Sequence, residues 1–234
     1  MTARPVFVLR PEPGLQRTLA AAHELGLEAH GAPLFAIAPV AWEAPDPSSY
    51  DGLLLGSANA LRHGGDGLES LRSLPAYAVG DITAALAREA GFRVASVGEG
   101  GLDAVVSALD GARLSLLRLA GRDRVALSPP AGIAVEDRVV YEARALPLDP
   151  QLAGRMESGG VVLLHSAAAA RHFASECDRL ALDRGRLSLA VIGPRVAAAA
   201  GEGWLDIRTA RRPRDAALLE LALAMCQTDA SNKP

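Results

Sequence analysis

Short apolar runs alternate with amphipathic segments along the whole chain. The runs at 53–55 and 161–164 are apolar at every position, which is typical of strands in a parallel sheet with both faces covered. Strands that alternate with helices predict an α/β fold made of parallel sheets flanked by helices. The predicted strands are 6–10, 52–56, 76–80, 94–97, 114–118, 135–141, 161–165, 188–192 and 204–208.

The first amphipathic segment has a clear helical period and a clear end. Leu15, Leu19, Ala22 and Leu25 fall on one helical face. Gly26 follows them, and glycine adopts the left-handed conformation at a helix C-terminus without a steric penalty. We therefore predict that this helix ends next to Gly26.

The chain contains an internal repeat with an offset of about 110 residues. One matched pair of segments, 6–10 and 114–118, places Arg10 opposite Arg118. Several matched pairs in one order predict two copies of a single α/β unit. The pairs are 53–63 with 162–172, 78–92 with 191–204, 103–109 with 215–221, and 6–10 with 114–118.

Two segments, 38–49 and 138–147, interrupt the alternation of strands and helices. The first is too rich in proline to form a helix, because proline lacks the backbone N–H that an interior helical turn needs. Both segments are predicted to be extended, and we interpret them as crossings between two domains.

Composition excludes several classes of protein. The net charge of −3 gives no general attraction to nucleic acid or to an anionic membrane. No apolar run is long enough to span a bilayer, and the apolar run near the N-terminus is shorter than that of a signal peptide, so we expect a cytoplasmic protein. Neither the two cysteines nor the five histidines have metal-ligand spacing, and we expect no metal site.

All basic residues except Lys233 are arginines. The guanidinium group binds carboxylates and phosphates through two parallel hydrogen bonds, which favours recognition of an anionic ligand. A GC-rich genome explains the same composition, and the abundance of alanine as well.

Small-residue turns lie where several predicted helices begin, at the carboxyl ends of strands. Ligands of parallel α/β sheets bind at that edge, and the free N–H groups of helix N-termini hold anions. Helix capping by Ser and Thr is the alternative explanation, and strand-end arginines also reach solvent without binding anything. The candidate anion-binding residues are Ser57, Ala58, Asn59, Thr83, Ser166, Ala167, Gly193, Pro194 and Arg195, with Arg10 and Arg118 at strand ends.

Tyr141 is one of three tyrosines and lies in the second crossing segment. A phenol stays protonated at neutral pH and donates a hydrogen bond or a proton. The alternative is an ordinary tyrosine packed on a strand.

The motifs, in their order and spacing, resemble the uroporphyrinogen-III synthase family. They are VLRP (8–11), LLGSANAL (54–61), AVGDITAAL (78–86), LLRLAGRDRVAL (116–127), VVYEA (139–143), VLLHSAAAARHF (162–173) and VIGPRVAAAA (191–200). The resemblance implies two related α/β domains joined by a two-stranded connector. The first domain would comprise 1–37 and 147–234, the second 42–137, and the connector strands 38–41 and 138–146.

The resemblance also implies the reaction. A synthase of this family cyclises hydroxymethylbilane, a linear tetrapyrrole, to uroporphyrinogen III, with loss of water and inversion of the last pyrrole ring. It is a lyase of porphyrin and heme biosynthesis that needs no cofactor. Tyr141 matches the tyrosine that the family is thought to use as proton donor. Ser57, Thr83 and Ser166 fall on positions associated with substrate contact.

The chain departs from the family pattern at His165, Arg195 and Val196. We expect a monomer that binds neither nucleic acid nor membrane, with transient contact with the preceding pathway enzyme as a further expectation. Two alternatives remain open: a non-catalytic two-lobed small-molecule binding protein, and an inactive relative of the synthase.

Overall fold

The computed structural model describes residues 4–109 and 113–228. The chain forms two compact units, Met1–Ala36 with Ala145–Pro234, called unit 1, and Ile37–Arg144, called unit 2. Strands and helices are numbered in chain order.

Unit 1 is built on a sheet of five parallel strands in the order β11-β10-β9-β1-β2. Phe7 and Val162 contribute to the core on one face, and Val6 and Val161 contribute to the core on the other, because successive strand residues point to opposite faces. The strands are β1 (Val6–Val8), β2 (Ala29–Gly31), β9 (Gly160–Leu164), β10 (Leu187–Val191) and β11 (Asp206–Thr209). The helices are α1 (Gly14–Glu24), α6 (Pro150–Met156), α7 (Ala167–Leu180), α8 (Pro194–Ala200) and α9 (Asp215–Thr228).

Unit 2 has a sheet of six strands in the order β3-β8-β7-β4-β5-β6, and the ladders from β8 to β6 are parallel. Leu53 and Leu54 belong to apolar cores on opposite faces. The strands are β3 (Phe35–Pro39), β4 (Gly52–Leu55), β5 (Ala76–Val79), β6 (Val94–Gly98), β7 (Leu114–Gly121) and β8 (Ile133–Ala145). The helices are α2 (Ala58–His63), α3 (Gly67–Ser70), α4 (Asp81–Glu89) and α5 (Leu102–Ser107).

These elements confirm the predicted α/β class with parallel sheets. Helix α1 ends at Glu24, and Gly26 has a φ of 73°, as the sequence predicts. Strand β2 was missed because its sequence, Ala-His-Gly, has no apolar run. Strand β7 continues three residues beyond its predicted end at 118, to Gly121.

The two sheets repeat each other strand by strand, since β6, β5, β4, β7 and β8 follow the same order as β11, β10, β9, β1 and β2. In sequence, however, β1 precedes β4–β6 and β7 precedes β9–β11. Each sheet therefore takes two strands from the other copy of the repeat, β1 and β2 in unit 1 and β7 and β8 in unit 2. The copies meet where β1 pairs with β9 and where β7 pairs with β4. This exchange makes unit 1 discontinuous in sequence.

The ladder register corrects one prediction from the repeat. Val8 pairs with Leu163, and Arg118 pairs with Leu54, the repeat mate of Leu163. Arg118 is therefore the structural counterpart of Val8, and its predicted match with Arg10 is wrong. Because β7 is longer than β1, an alignment of apolar residues alone accepts either register.

No helix in the described part of the chain has the length and apolar character needed to cross a bilayer.

Candidate functional site

Unit 2 contains a pocket of about 350 Å³ at the carboxyl ends of β4 and β7. The turn after β4, the N-terminus of α5, the end of β7, the segment 123–127 and one residue of β8 line this pocket. Its charged lining residues are Asp103, Arg118, Asp123 and Arg124. Three predicted site residues line it together, namely Ser57, Arg118 and Tyr141. Its position agrees with the rule that ligands of parallel sheets bind beyond the carboxyl ends of the strands.

Ser57 is the N-cap residue of α2. Its backbone is extended, and its Oγ accepts a hydrogen bond from the N–H of Asn59 at 3.2 Å. Ala58 is buried beneath the turn, and the Asn59 side chain accepts a hydrogen bond from Arg62. Capping therefore accounts for the choice of serine at this position.

Arg118 is a buried cation within β7, with 9% of its side chain exposed. Its Nη1 donates a hydrogen bond to the carbonyl of Val125 at 2.9 Å and lies 3.8 Å from Asp137 Oδ1, a carboxylate that Arg124 also binds. Its Nε is buried without a hydrogen-bond partner among the described residues. A buried guanidinium with unused donor capacity favours an anionic ligand beside it.

Tyr141 lies on β8, opposite Gly121 of β7. Its ring centroid is 6.4 Å from that of His63. Burial, with a contribution from Arg62, lowers the pKa of His63, so this imidazole is neutral at neutral pH. The phenol is therefore beside an uncharged ring.

The remaining candidates of unit 2 and unit 1 lie at helix starts. Thr83 is in the first turn of α4 and only 5% exposed. Ser166 caps α7, and its Oγ accepts a hydrogen bond from the N–H of Ala169 at 3.1 Å. Ala167 begins α7. Gly193 is the N-cap of α8, which begins with Pro194 and exposed Arg195.

A second polar cluster occupies the carboxyl edge of the sheet in unit 1. Asp215 accepts hydrogen bonds from Thr18 at 2.7 Å and from Arg10 at 3.1 Å, and it lies 2.7 Å from His165 Nε2. Burial alone raises the pKa of Asp215, but the hydrogen bonds from His165 and Thr18 and the charge of Arg10 outweigh it, and the net pKa is lowered.

Thr18 and Asp215 are not among the site residues that the sequence predicts. The repeat did contain a signal for Asp215, because it pairs this residue with Asp103 in the matched segments 103–109 and 215–221. An acidic residue in the first turn of a helix is also a common stabilising feature, so the sequence gives no reason to expect further contacts of Asp215.

The register shows why unit 2 has an open pocket and unit 1 a cluster. Gly56 and Ala120 of the pocket correspond to His165 and Arg10 of unit 1. Glycine and alanine leave space where the two larger side chains meet the carboxylate of Asp215.

No group of three or more His, Cys, Asp or Glu side chains within residues 4–109 and 113–228 is arranged to hold a metal ion.

A sequence profile described as uroporphyrinogen-III synthase HemD matches residues 16–220, which is most of the chain. The chain belongs to the uroporphyrinogen-III synthase family. It is therefore a synthase of the lyase type that acts on hydroxymethylbilane, and the resemblance predicted from its motifs is confirmed.

A solved structure agrees with this assignment at the level of the fold. The uroporphyrinogen-III synthetase of Helicobacter pylori 26695 is 20% identical, with a TM-score of 0.65, and the alignment covers 96% of this chain and 100% of that one. A mutant uroporphyrinogen III synthase of Thermus thermophilus is 18% identical, with a TM-score of 0.49 and coverage of 97% and 100%. No curated protein sequence matches the chain.

Proposed function

We propose that this synthase uses Tyr141 as the proton donor to the departing hydroxyl of hydroxymethylbilane, and that the pocket of unit 2 binds a carboxylate of the same substrate. The observation that carries the proposal is that Tyr141 and the buried cation Arg118 line one pocket. A proton donor and an anion-binding group are what this reaction requires side by side.

The chemical step follows from the bond that breaks. The phenol of Tyr141 gives its proton to the hydroxyl, the C–O bond breaks, and water leaves while a pyrrole nitrogen supplies the electron pair. The last pyrrole then attacks through its substituted carbon, and the resulting spiro intermediate fragments and recloses with that ring inverted. Ring closure releases one proton, which restores the phenol in the overall balance. A neutral donor suits a polyanionic substrate, because a carboxylate in that place would repel it.

Support for a carboxylate in the pocket comes from within the chain. In unit 1 the carboxylate of Asp215 is held by Arg10, Thr18 and His165 at the corresponding edge of the sheet. The repeated architecture thus already binds a carboxylate once. In unit 2 the corresponding edge is open, and Arg118 lines it together with Asp103, the repeat mate of Asp215.

The other proposed substrate contacts use helix starts. The first N–H groups of a helix lack intrahelical acceptors and carry a partial positive charge, so they hold carboxylates well. A role for Arg10 requires that a substrate carboxylate replace Asp215 as its partner. The proposed contacts of this kind are Ala58, Asn59, Thr83, Ser166, Ala167, Gly193, Pro194 and Arg195.

A cytoplasmic location and a monomeric state are also part of the proposal, together with transient contact with the preceding pathway enzyme. Light scattering on the purified protein tests the monomeric state, and light scattering on its mixture with the preceding enzyme tests the transient contact.

The decisive experiment supplies freshly generated hydroxymethylbilane and separates the uroporphyrinogen isomers formed. We expect isomer III in place of the isomer I that forms spontaneously. The Tyr141→Phe variant should slow formation of isomer III by about a hundredfold, within the usual contribution of a general acid. Tyr77→Phe is the matched control, since Tyr77 lies on β5 of the same unit.

Isomer I alone from the unaltered protein would favour the alternatives of a binding protein or an inactive relative. An undiminished rate in Tyr141→Phe would remove the phenol from its proposed role and leave the synthase activity itself intact.

A further inference from the structure

We infer that Gly121 is a positioning residue for Tyr141: its missing side chain and a bulge in β8 together fix the phenol against the end of β7. This inference rests on the proposed role of Tyr141. Gly121 itself brings no reactive group to the pocket.

The strand ladder shows the bulge. Ala120 pairs with Val139, but the next residue of β7, Gly121, pairs with Tyr141. Strand β8 therefore advances by two residues while β7 advances by one, and Val140 is the extra residue. Bulges next to active sites commonly redirect a side chain in this way.

The bulge changes the direction of Tyr141. In a regular strand, neighbouring residues point to opposite faces of the sheet. Here Val140 is fully buried in the apolar core of unit 2, and Tyr141 packs against the same core while also lining the pocket. Without the extra residue, the side chains of Val140 and Tyr141 would point to opposite faces of the sheet.

Gly121 leaves the space that the redirected ring needs. A Cβ added at Gly121 would lie 2.6 Å from Cε2 of Tyr141, 2.8 Å from Cζ and 3.1 Å from the phenol oxygen. Side chains do not approach so closely, so any other residue would push the ring away. The three nearest atoms all belong to Tyr141, which makes the ring the reason for the glycine.

A displaced phenol fails as an acid because proton donation requires hydrogen-bond distance, about 2.6–3.2 Å between heavy atoms. Substrate binding through Arg118 does not require the phenol. A shift of the ring should therefore reduce kcat and leave KM nearly unchanged.

Unit 2 supplies a matched control for general strain. A Cβ at Gly52 would lie 2.6 Å from Cε2 of Tyr77, so the same kind of contact occurs on β4 of the same sheet. Gly52→Ala should lower stability as Gly121→Ala does, without a specific loss of kcat. Gly154→Ala, at a helical site with open space, controls for the substitution itself.

The experiment measures kcat, KM and the melting temperature of the unaltered full-length protein and of five variants. The variants are Gly121→Ala, Tyr141→Phe, the double variant Gly121→Ala/Tyr141→Phe, Gly52→Ala and Gly154→Ala. We expect Gly121→Ala to lower kcat by about tenfold or more, per folded molecule, with KM changed less than about twofold. The double variant should be no slower than Tyr141→Phe, because both changes remove the same contribution.

Full kcat in Gly121→Ala, an equal loss of kcat in Gly52→Ala, or additive losses in the double variant would overturn the inference. Should Gly121→Ala fail to fold, Gly121→Ala/Tyr141→Ala decides: recovery of folding supports a clash with the ring, and no recovery contradicts it. A full rate in Tyr141→Phe overturns the proposed role of Tyr141 together with this inference. A slow Tyr141→Phe with a fast Gly121→Ala overturns this inference alone.

Discussion

His165 Nε2 lies 2.7 Å from the Oδ1 of Asp215, at the edge of unit 1 that corresponds to the pocket of unit 2. The two units of this synthase have thus used the same position of one architecture differently. One closes it with an internal ion pair, and the other leaves it open beside a buried arginine.

Removal of the carboxylate in unit 1 should destabilise the protein. Asp215→Ala leaves Arg10 and His165 without their shared partner, and we expect a loss of about 2 kcal/mol in the free energy of unfolding, as for other partly buried charged hydrogen bonds. Urea denaturation measures it. Asp178→Ala is the control, because Asp178 pairs with Arg184 at the surface and is 71% exposed. Equal losses in the two variants would contradict the structural role of the cluster.

Replacement of the buried cation should weaken substrate binding. Arg118→Met keeps the length and apolar contacts of the side chain but removes its charge and its hydrogen bonds. We expect KM for hydroxymethylbilane to rise by about tenfold or more, which is the effect of losing one charge-assisted hydrogen bond. Arg122→Met serves as control, since Arg122 is 59% exposed and pairs with Glu142. An unchanged KM in Arg118→Met would exclude a carboxylate at this guanidinium.

The two explanations for Ser166 can be separated. Ser166→Asp keeps a side chain able to cap α7, so the stability should be retained, but its charge should repel a substrate carboxylate and raise KM. Ser166→Ala should lose about 1 kcal/mol of stability through the missing cap. Asp149→Ala, which removes the cap of α6, should lose similar stability without an effect on KM. If Ser166→Asp binds substrate normally, capping is the whole explanation for this serine.

Acid should weaken unit 1 through Glu176. Its carboxylate accepts hydrogen bonds from Arg179 and from the N–H of Leu148, and these interactions lower its pKa from 4.5 to about 2. Because the folded state holds the ionised form, its contribution is complete above pH 4.5 and is lost as the pH falls towards 2.

Unfolding measured against pH therefore gives a test of this contribution. Glu176→Gln should be less stable than the unaltered protein at neutral pH, and the difference should shrink below pH 4.5. Glu157→Gln is the control at an exposed position of the same unit. A difference that stays constant with pH would mean that the carboxylate charge contributes nothing.

Local patterns were sufficient for most of the fold. The continuously apolar strands, the amphipathic helices and the repeat predicted parallel α/β units, since burial on both faces requires apolar residues at every strand position. The repeat did not reveal which copy each strand joins, because β1 and β7 are apolar strands of similar composition. Their exchange depends on long-range pairing that leaves no local signal.

The site was predictable where residue type restricts chemistry and hidden where geometry decides. Arg118 and Tyr141 are noticeable in sequence as a cation after an apolar run and a rare phenol, and both line the pocket. The predicted strand end at Arg118 was wrong, because β7 continues to Gly121. The partner of Arg10, Asp215, is far away in sequence and meets it only after folding. Gly121 lies within the motif LLRLAGRDRVAL, but its role was not predictable, since it depends on a one-residue shift between β7 and β8.

The exchange of β1 and β7 has a consequence for synthesis on the ribosome. Unit 2 is a continuous segment that emerges early and contains all its strands, whereas β1 and β2 must wait for β9 to β11. During that interval the N-terminal strand lacks its neighbour, and its apolar residues are open to wrong partners. Folding of the newly made chain should therefore proceed from the middle outwards, with the two ends joined last.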